Sequence, residues 1–323
     1  MFGKFIKDPS DSFVCINLGN YYIKGLIVEN GIITNYFIKE NKDLSAVLKE
    51  IWQQKKIATN RVKLSVKNPS CLARYFPFPK MEKKKLKQAL FYELNKYIPF
   101  SPQDVYFDFH VLTEINPKEI FLLLAVAKKD FIDKILSIFD KEKLDVHEIS
   151  LDSICLANFV GAVCKESKDI NSCVLDIGHS FSTLTILKKE VPFLTRDLEF
   201  KTKDVFDVVS RVKNLPLLDI DKWVSSSGGH SEFLEVIRGS LSGLCKEAKS
   251  SFDYFEVNKG ERIEKMYIAG GLSSVAGVGD FLKENLEVEV SVLDNLNSFN
   301  VSFSDDNFNQ FKNGFTAAFG LTI

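Results

Sequence analysis

Ser172-Cys-Val-Leu-Asp-Ile-Gly-His-Ser-Phe-Ser-Thr-Leu-Thr-Ile-Leu187 reads as a strand, a glycine turn and a returning strand, and Phe13-Val-Cys-Ile-Asn-Leu-Gly-Asn-Tyr-Tyr-Ile-Lys-Gly-Leu-Ile-Val28 reads the same way. A constant offset of 159 residues pairs Asn17 with Asp176, Gly19 with Gly178 and Ile23 with Ser182. In both copies apolar residues run up to a polar residue, then to a glycine whose missing Cβ lets the chain turn tightly and expose its N–H groups. Two matched hairpins imply two matched lobes whose turns face one another across a cleft and grip a phosphate chain from both sides.

The elements around the hairpins repeat as well. After the first hairpin, Glu29-Asn-Gly31 is a strong turn signal and Ile32 to Ile38 reads as a third antiparallel strand. Residues 43 to 56 carry Leu44, Val47, Leu48 and Ile51 at helical spacing, followed by a short strand at Arg61 to Val66. A helix from Lys129 to Lys141, a strand near Val146 to Ile149 and a helix from about Asp152 to Val163 complete the first series. The second series has strands near 172 to 178, 181 to 187 and 191 to 198, a long helix from about Glu232 to Val257, and a strand at Lys265 to Ala269. A helix at 275 to 285, a strand at Glu287 to Leu293 and a final helix near Phe308 to Leu321 follow. That order is the α/β, duplicated ribonuclease-H-like fold of the actin and heat-shock ATPase group.

The expected division is lobe one at 1–170 and lobe two at 171–323. Lobe one carries an extra β-α-β-β module at about 69–128, with strand Leu72 to Phe78, helix 82 to 97, and strands Asp104 to Leu112 and Glu119 to Ala127. Lobe two places its own extra material at about 199–230, read as a small irregular subdomain.

Composition narrows the classes. Lys plus Arg total 42 against 43 for Asp plus Glu, so no global field draws in nucleic acid or an anionic membrane. Six cysteines without a Cys-x-x-Cys pair fit buried thiols in a reducing compartment and argue against a zinc site. The longest apolar run, Ile120 to Ala127, is far short of the roughly 20 residues a bilayer requires, and no secretory signal heads the chain, so a cytoplasmic location is expected. Met1 to Lys7 mixes bulky apolar residues with lysines and reads as a frayed terminus, with contact to a membrane or a partner as the alternative.

The inserted module carries a family resemblance. Phe76-Pro-Phe-Pro-Lys-Met81, a charged helix, and Phe91-Tyr-Glu-Leu-Asn-Lys-Tyr-Ile-Pro-Phe100 resemble the corresponding signature of the PilM family, actin-like cytoplasmic proteins of type IV pilus assembly. Leu123-Leu-Ala-Val-Ala-Lys128, Val174-Leu-Asp-Ile-Gly178, Ser251-Phe-Asp-Tyr254, Ile268-Ala-Gly-Gly271 and Gly314-Phe-Thr-Ala-Ala-Phe-Gly-Leu321 extend the likeness over nearly the whole chain. The resemblance implies a scaffold held at the inner membrane by partners. It also implies a groove between the module and the rest of lobe one that takes up the short cytoplasmic N-terminal peptide of a PilN-like membrane protein, with other platform and motor proteins as further partners and self-association left open. Tyr97, Ile98, Pro99 and Phe100 offer apolar surface for that peptide, or else seal the module's own core.

An actin-type ATP site would draw on three elements. The first hairpin contributes Asn17, Gly19, Asn20 and Lys24, the second Asp176, Gly178, Ser180, Ser182 and Thr183, and the adenosine side Gly270, Gly271, Leu272 and Ser273. Asp176 would hold Mg²⁺ through its water shell, while hydroxyls and turn N–H groups meet phosphate oxygens. The first hairpin departs from the family pattern Asp-x-Gly-Ser-Ser-x-x-Lys, reading Asn17-Leu-Gly-Asn-Tyr-Tyr-Ile-Lys24. A neutral Asn17 weakens attraction for Mg²⁺ and removes a group that helps orient an attacking water, and Tyr21 and Tyr22 add bulk where backbone must approach phosphate. Weak or absent hydrolysis is therefore expected, with binding of ATP and Mg²⁺ left open and no catalytic residue assigned. Asp221 and Lys222 stand near the place for ribose contacts, and His179 reads as a surface residue of the second turn. A small-molecule kinase of the same superfamily, or a relative of the cell-division protein FtsA, remains as an alternative. The kinase lacks an identifiable base, and the second family carries a terminal membrane helix beyond a linker.

Overall fold

The computed structural model describes residues 12–224, 229–294, 298–305, 308–309 and 312–323, with the side chains of 218, 221 and 222 excepted. Met1 to Lys7, and the side chains of Asp221 and Lys222, lie outside the described set.

The first half of the chain builds a five-stranded sheet from β1 (Phe13–Leu18), β2 (Tyr22–Glu29), β3 (Ile32–Glu40), β4 (Arg61–Val66) and β8 (Asp145–Leu151), in the order β3-β2-β1-β4-β8. The second half repeats it with β9 (Ser172–Ile177), β10 (Ser182–Lys188), β11 (Val191–Leu198), β12 (Lys265–Ala269) and β13 (Glu289–Val292), in the order β11-β10-β9-β12-β13. The hairpin registers are the same: Leu18 faces Ile23 as Ile177 faces Ser182, and Asn17 faces Lys24 as Asp176 faces Thr183. Strand β1 is buried along its whole length because it lies between an antiparallel and a parallel neighbour, which explains a sequence apolar at every position but Asn17.

The helices cover these sheets. In lobe one, α1 (Leu44–Lys55) starts at Asp43, whose side chain accepts from the Ala46 N–H, and α3 (Lys129–Lys141) buries Ile132, Ile135 and Phe139 beside it. In lobe two, α7 (Gly229–Lys259) and α8 (Val278–Leu286) bury a regular apolar face on the second sheet. Segment 199–230, expected to be irregular, is largely helical in its described part. It holds α5 (Thr202–Lys213), a 3-10 turn at Leu217–Asp219 and α6 (Ile220–Val224). Val205 and Val209 recur at helical spacing and bury against Phe233 and Ile237; that packing overrides the low helix propensity of valine.

The inserted module is a three-stranded antiparallel sheet, β5 (Cys71–Pro79), β7 (Glu119–Lys128) and β6 (Val105–Asn116) in that spatial order, with α2 (Lys83–Glu93) packed on it. The helix expected to reach Tyr97 tightens into a 3-10 turn after Glu93, as the approach to Pro99 requires.

A further core joins the halves. Helix α4 (Asp152–Val163) and the closing helix Thr316–Gly320 lie between the two sheets, burying Phe13, Cys15 and Leu26 from one side and Val174, Leu187 and Tyr267 from the other. Phe159 and Phe319 sit at its centre with ring centroids 6.2 Å apart, and Phe299 stacks on Phe159 at 5.6 Å. Fully burying each such ring stabilises by roughly 1.5–3 kcal/mol, so this seam ties the lobes firmly together. It leaves the opposite, strand-end side of the sheets to form a cleft.

Candidate functional site

Ligands of open α/β sheets bind beyond the carboxyl ends of the strands, and five such ends converge here. The two glycine turns follow β1 and β9. A Cβ on Gly19 would lie 2.5 Å from the Tyr22 carbonyl oxygen, and one on Gly178 would lie 2.4 Å from that of Phe181, so both turns need glycine for the same close approach. At the end of β12, Gly270 has φ +89°, and its added Cβ would meet the Ile177 oxygen at 2.3 Å and an Asp176 oxygen at 3.0 Å. This glycine therefore lets the third element pack directly on the second turn. The remaining ends, of β4 and β8, supply Lys67 and Asp152, two residues that the hairpin pattern does not reveal.

Those two residues control what the turns can do. Asn17 is buried and donates through Nδ2 to Ser65 Oγ at 2.8 Å and to both carboxylate oxygens of Asp152 at 2.9 Å. Burial, reinforced by the nearby charge of Asp176, pushes the Asp152 carboxyl above the usual carboxylate range, while Lys67 and the bonds from Asn17 and Ser65 pull it back. Lys67 Nζ lies 2.8 Å from Asp176 Oδ2 and 2.9 Å from the carbonyl oxygen of Phe181. Lys24 reaches the Gly314 carbonyl at 2.6 Å, and burial lowers its pKa from the usual lysine value.

The turn tips touch. Tyr21 of the first stacks on His179 of the second, with ring centroids 4.3 Å apart and planes 19° apart. His179 is therefore a bridging residue; burial first, and Lys203 next, lower its pKa, so the ring is neutral near neutral pH. The second turn is also fastened from behind, because the backbone N–H groups of Thr202 and Lys203 donate to the Gly178 and His179 carbonyls.

The other expected site residues fall as follows. Asn20 and Gly271 are exposed, and Leu272 belongs to the core of lobe two. Ser180 Oγ lies 3.3 Å from His179 Nδ1, Thr183 donates to Asp197 at 3.2 Å, and Ser273 Oγ donates to the Gly270 carbonyl at 2.6 Å. Ser182 Oγ and Thr202 Oγ1 are buried without a partner beside the second turn. Hydroxyl donors thus remain free there, but the carboxylate does not. No group of three His, Cys, Asp or Glu side chains suited to a metal occurs among the described residues. In this arrangement the Asp176 carboxylate is paired with an ammonium, Asn17 is bonded to Asp152, and aromatic rings join the turn tips.

A groove of about 360 Å³ adjoins the cleft. Leu72, Pro99 and Phe100 of the module form one wall, Val66 to Pro69 with Leu151 and Asp152 a second, and Phe181, Thr183 and Thr195 to Asp197 of lobe two a third. Lobe two walls the groove as well as lobe one, which the resemblance alone did not imply. The contact is direct, since Tyr75 Oη lies 3.1 Å from Thr195 Oγ1 and Phe121 stacks on Phe193. Of the four residues considered for a partner, Pro99 and Phe100 face this groove. Ile98 is buried in the module core, and Tyr97 stacks on Phe76 with centroids 3.7 Å apart. No described helix is long and apolar enough to cross a membrane.

The family described as type IV pilus assembly protein PilM matches residues 16–323. Curated protein sequences give no significant match. Among solved structures, the PilM-PilN type IV pilus biogenesis complex is similar over 97% of this chain and 98% of that chain, at 22% identity and a TM-score of 0.86. The ethanolamine utilization protein EutJ from Carboxydothermus hydrogenoformans is similar over 98% and 91%, at 10% identity and a TM-score of 0.60. MreB 5 of Spiroplasma citri bound to AMPPNP is similar over 90% and 93%, at 11% identity and a TM-score of 0.50. These likenesses establish the duplicated actin-like ATPase fold, and the family match goes further: the chain belongs to the PilM family of type IV pilus assembly proteins.

Proposed function

We propose that this protein is a cytoplasmic scaffold of a type IV pilus platform, held at the inner membrane by the N-terminal tail of a PilN-like membrane protein lying in the groove beside the module. The observation that carries the reading is the groove itself. It joins apolar Leu72, Pro99 and Phe100 to charged side chains of both signs, Arg74, Arg196 and Asp197 among them, a lining suited to anchoring a short extended peptide by one or two apolar residues and its backbone polar groups. The neighbouring cleft serves as a fixed joint between lobes and does not turn over ATP. Support for that part comes from the Lys67–Asp176 pair and from the commitment of Asn17 to Asp152.

The test is a titration of purified protein with the labelled cytoplasmic tail peptide of a PilN-like membrane protein. Phe100→Asp and Arg74→Glu, both at the groove, are expected to weaken binding at least about tenfold while leaving the thermal transition in place. Undiminished binding by both variants would remove the groove from the interface. One observation favours the kinase alternative: Asp152 is a buried carboxylate in the cleft with a raised pKa, the property of a general base. Phosphotransfer to a small acceptor that Asp152→Asn abolishes would establish that alternative instead.

A further inference from the structure

Lys67 occupies a position that the fold's internal symmetry makes informative. In the parallel pairing of β1 with β4, Asn17 lies opposite Ser65, and in that of β9 with β12, Asp176 lies opposite Ala269. Two residues beyond each of these come Lys67 and Gly271. Where lobe two follows β12 with an exposed glycine, lobe one follows the matching strand β4 with a residue that has a long cationic arm.

That arm crosses the cleft. Its ammonium reaches two groups of the opposite lobe, the Asp176 carboxylate at 2.8 Å and the Phe181 carbonyl at 2.9 Å, and both charged side chains are only 16–17% exposed. A carboxylate and a backbone carbonyl at a phosphate-type turn are oxygen donors of the kind a hard cation and its water shell satisfy. Here the cation comes covalently attached. The Tyr21–His179 stack adds a second bridge at the turn tips, also made of residues from opposite lobes.

We propose that Lys67 is a built-in replacement for the nucleotide-bound cation, a latch that holds the two lobes closed with no ligand. Closure is then an intrinsic property of the chain, where a nucleotide-dependent relative would need its ligand to bring both turns together. The latch also forms part of the partner groove, because Lys67 and Phe181 are among the residues that line it. While the latch holds, Phe181 stays in place on the groove's rim beside the Tyr75–Thr195 contact, so the groove keeps its shape in nucleotide-free protein. This inference builds on the reading of the cleft as a fixed joint, and it is independent of whether a peptide binds.

Hydrogen exchange on the full chain without any partner tests it. In the wild type, amides of the turns at 19–22 and 178–181 are expected to be protected equally with and without Mg²⁺ and ATP. Lys67→Met is expected to raise exchange in both turns by about tenfold or more, the scale of losing a charge-assisted hydrogen bond, with the module strands β5 and β7 unchanged. Asp176→Asn is expected to raise it similarly, the double variant to add little, and Lys67→Arg to restore protection. Should Lys67→Met fail to fold, Asp176→Asn and Lys67→Arg carry the comparison. The proposal is overturned if the turns exchange alike in wild type and in the variants that fold, or if wild-type protection appears only when Mg²⁺ and ATP are added. A failed peptide titration would leave this result standing, and a failed latch would leave the peptide result standing.

Discussion

Asn17→Asp restores the acid that the family pattern has in the first turn, and the structure predicts that it damages the protein instead of reviving a metal site. Asn17 Nδ2 is a donor to both oxygens of buried Asp152. The substitution removes charge-assisted bonds contributing about 1.5–3 kcal/mol and sets a second carboxyl against the first. Two carboxylates about 3 Å apart repel by roughly 5 kcal/mol at an effective dielectric of 20, so the pair takes up one shared proton. The net destabilisation near pH 8 is about 3–5 kcal/mol, the scale of an uncompensated buried charge. Its sign with pH follows from linkage. The folded pair binds a proton that the unfolded chain releases at ordinary carboxylate values, so stability falls as pH rises above those values, and the deficit is smaller near pH 5. Urea unfolding of wild type and variant at about pH 5 and pH 8 reads it directly. Equal deficits at both pH values, or a variant of wild-type stability that gains Mg²⁺ binding, would refute the reasoning.

Gly270→Ala places a methyl group 2.3 Å from the Ile177 oxygen at a residue with φ +89°, so a loss of about 3 kcal/mol or more in unfolding free energy is expected from a chemical melt. Phe319→Ala opens a cavity at the centre of the seam between the sheets and is expected to cost about 3–5 kcal/mol by the same measurement. All six cysteines are buried, and burial pushes the Cys71 thiol up to about 12 and the Cys245 thiol up to about 11. Native protein should therefore resist alkylation at neutral pH, and denatured protein should titrate six thiols.

The fold was legible because its signals are local and repeated. Both hairpins carry their own turn chemistry, and the strand registers follow from it, so Asn17, Gly19, Asp176 and Gly178 fall where the pattern puts them. Helix α5 was obscured by the polar start at Lys201 to Lys203, and its valines declare a helix only when packed on Phe233. The cleft was half legible. Asn17 signalled a changed site, but its partners, Ser65 on β4 and Asp152 at the start of α4, lie 48 and 135 residues away, and nothing in their local sequence marks them. Lys67 looks like one more lysine after a strand. Counting from the paired residues Asn17–Ser65 and Asp176–Ala269 would have placed it at the cleft, had the register been known. Pro99 and Phe100 were separable from Tyr97 and Ile98 only in three dimensions, since all four are apolar and adjacent.

The most direct test of the account is the affinity of the PilN-like tail peptide for nucleotide-free protein, measured again after addition of Mg²⁺ and ATP. Saturable binding of equal strength in both conditions, weakened by Phe100→Asp, is the predicted result. Binding that appears only when Mg²⁺ and ATP are present would contradict a scaffold whose lobes are already latched.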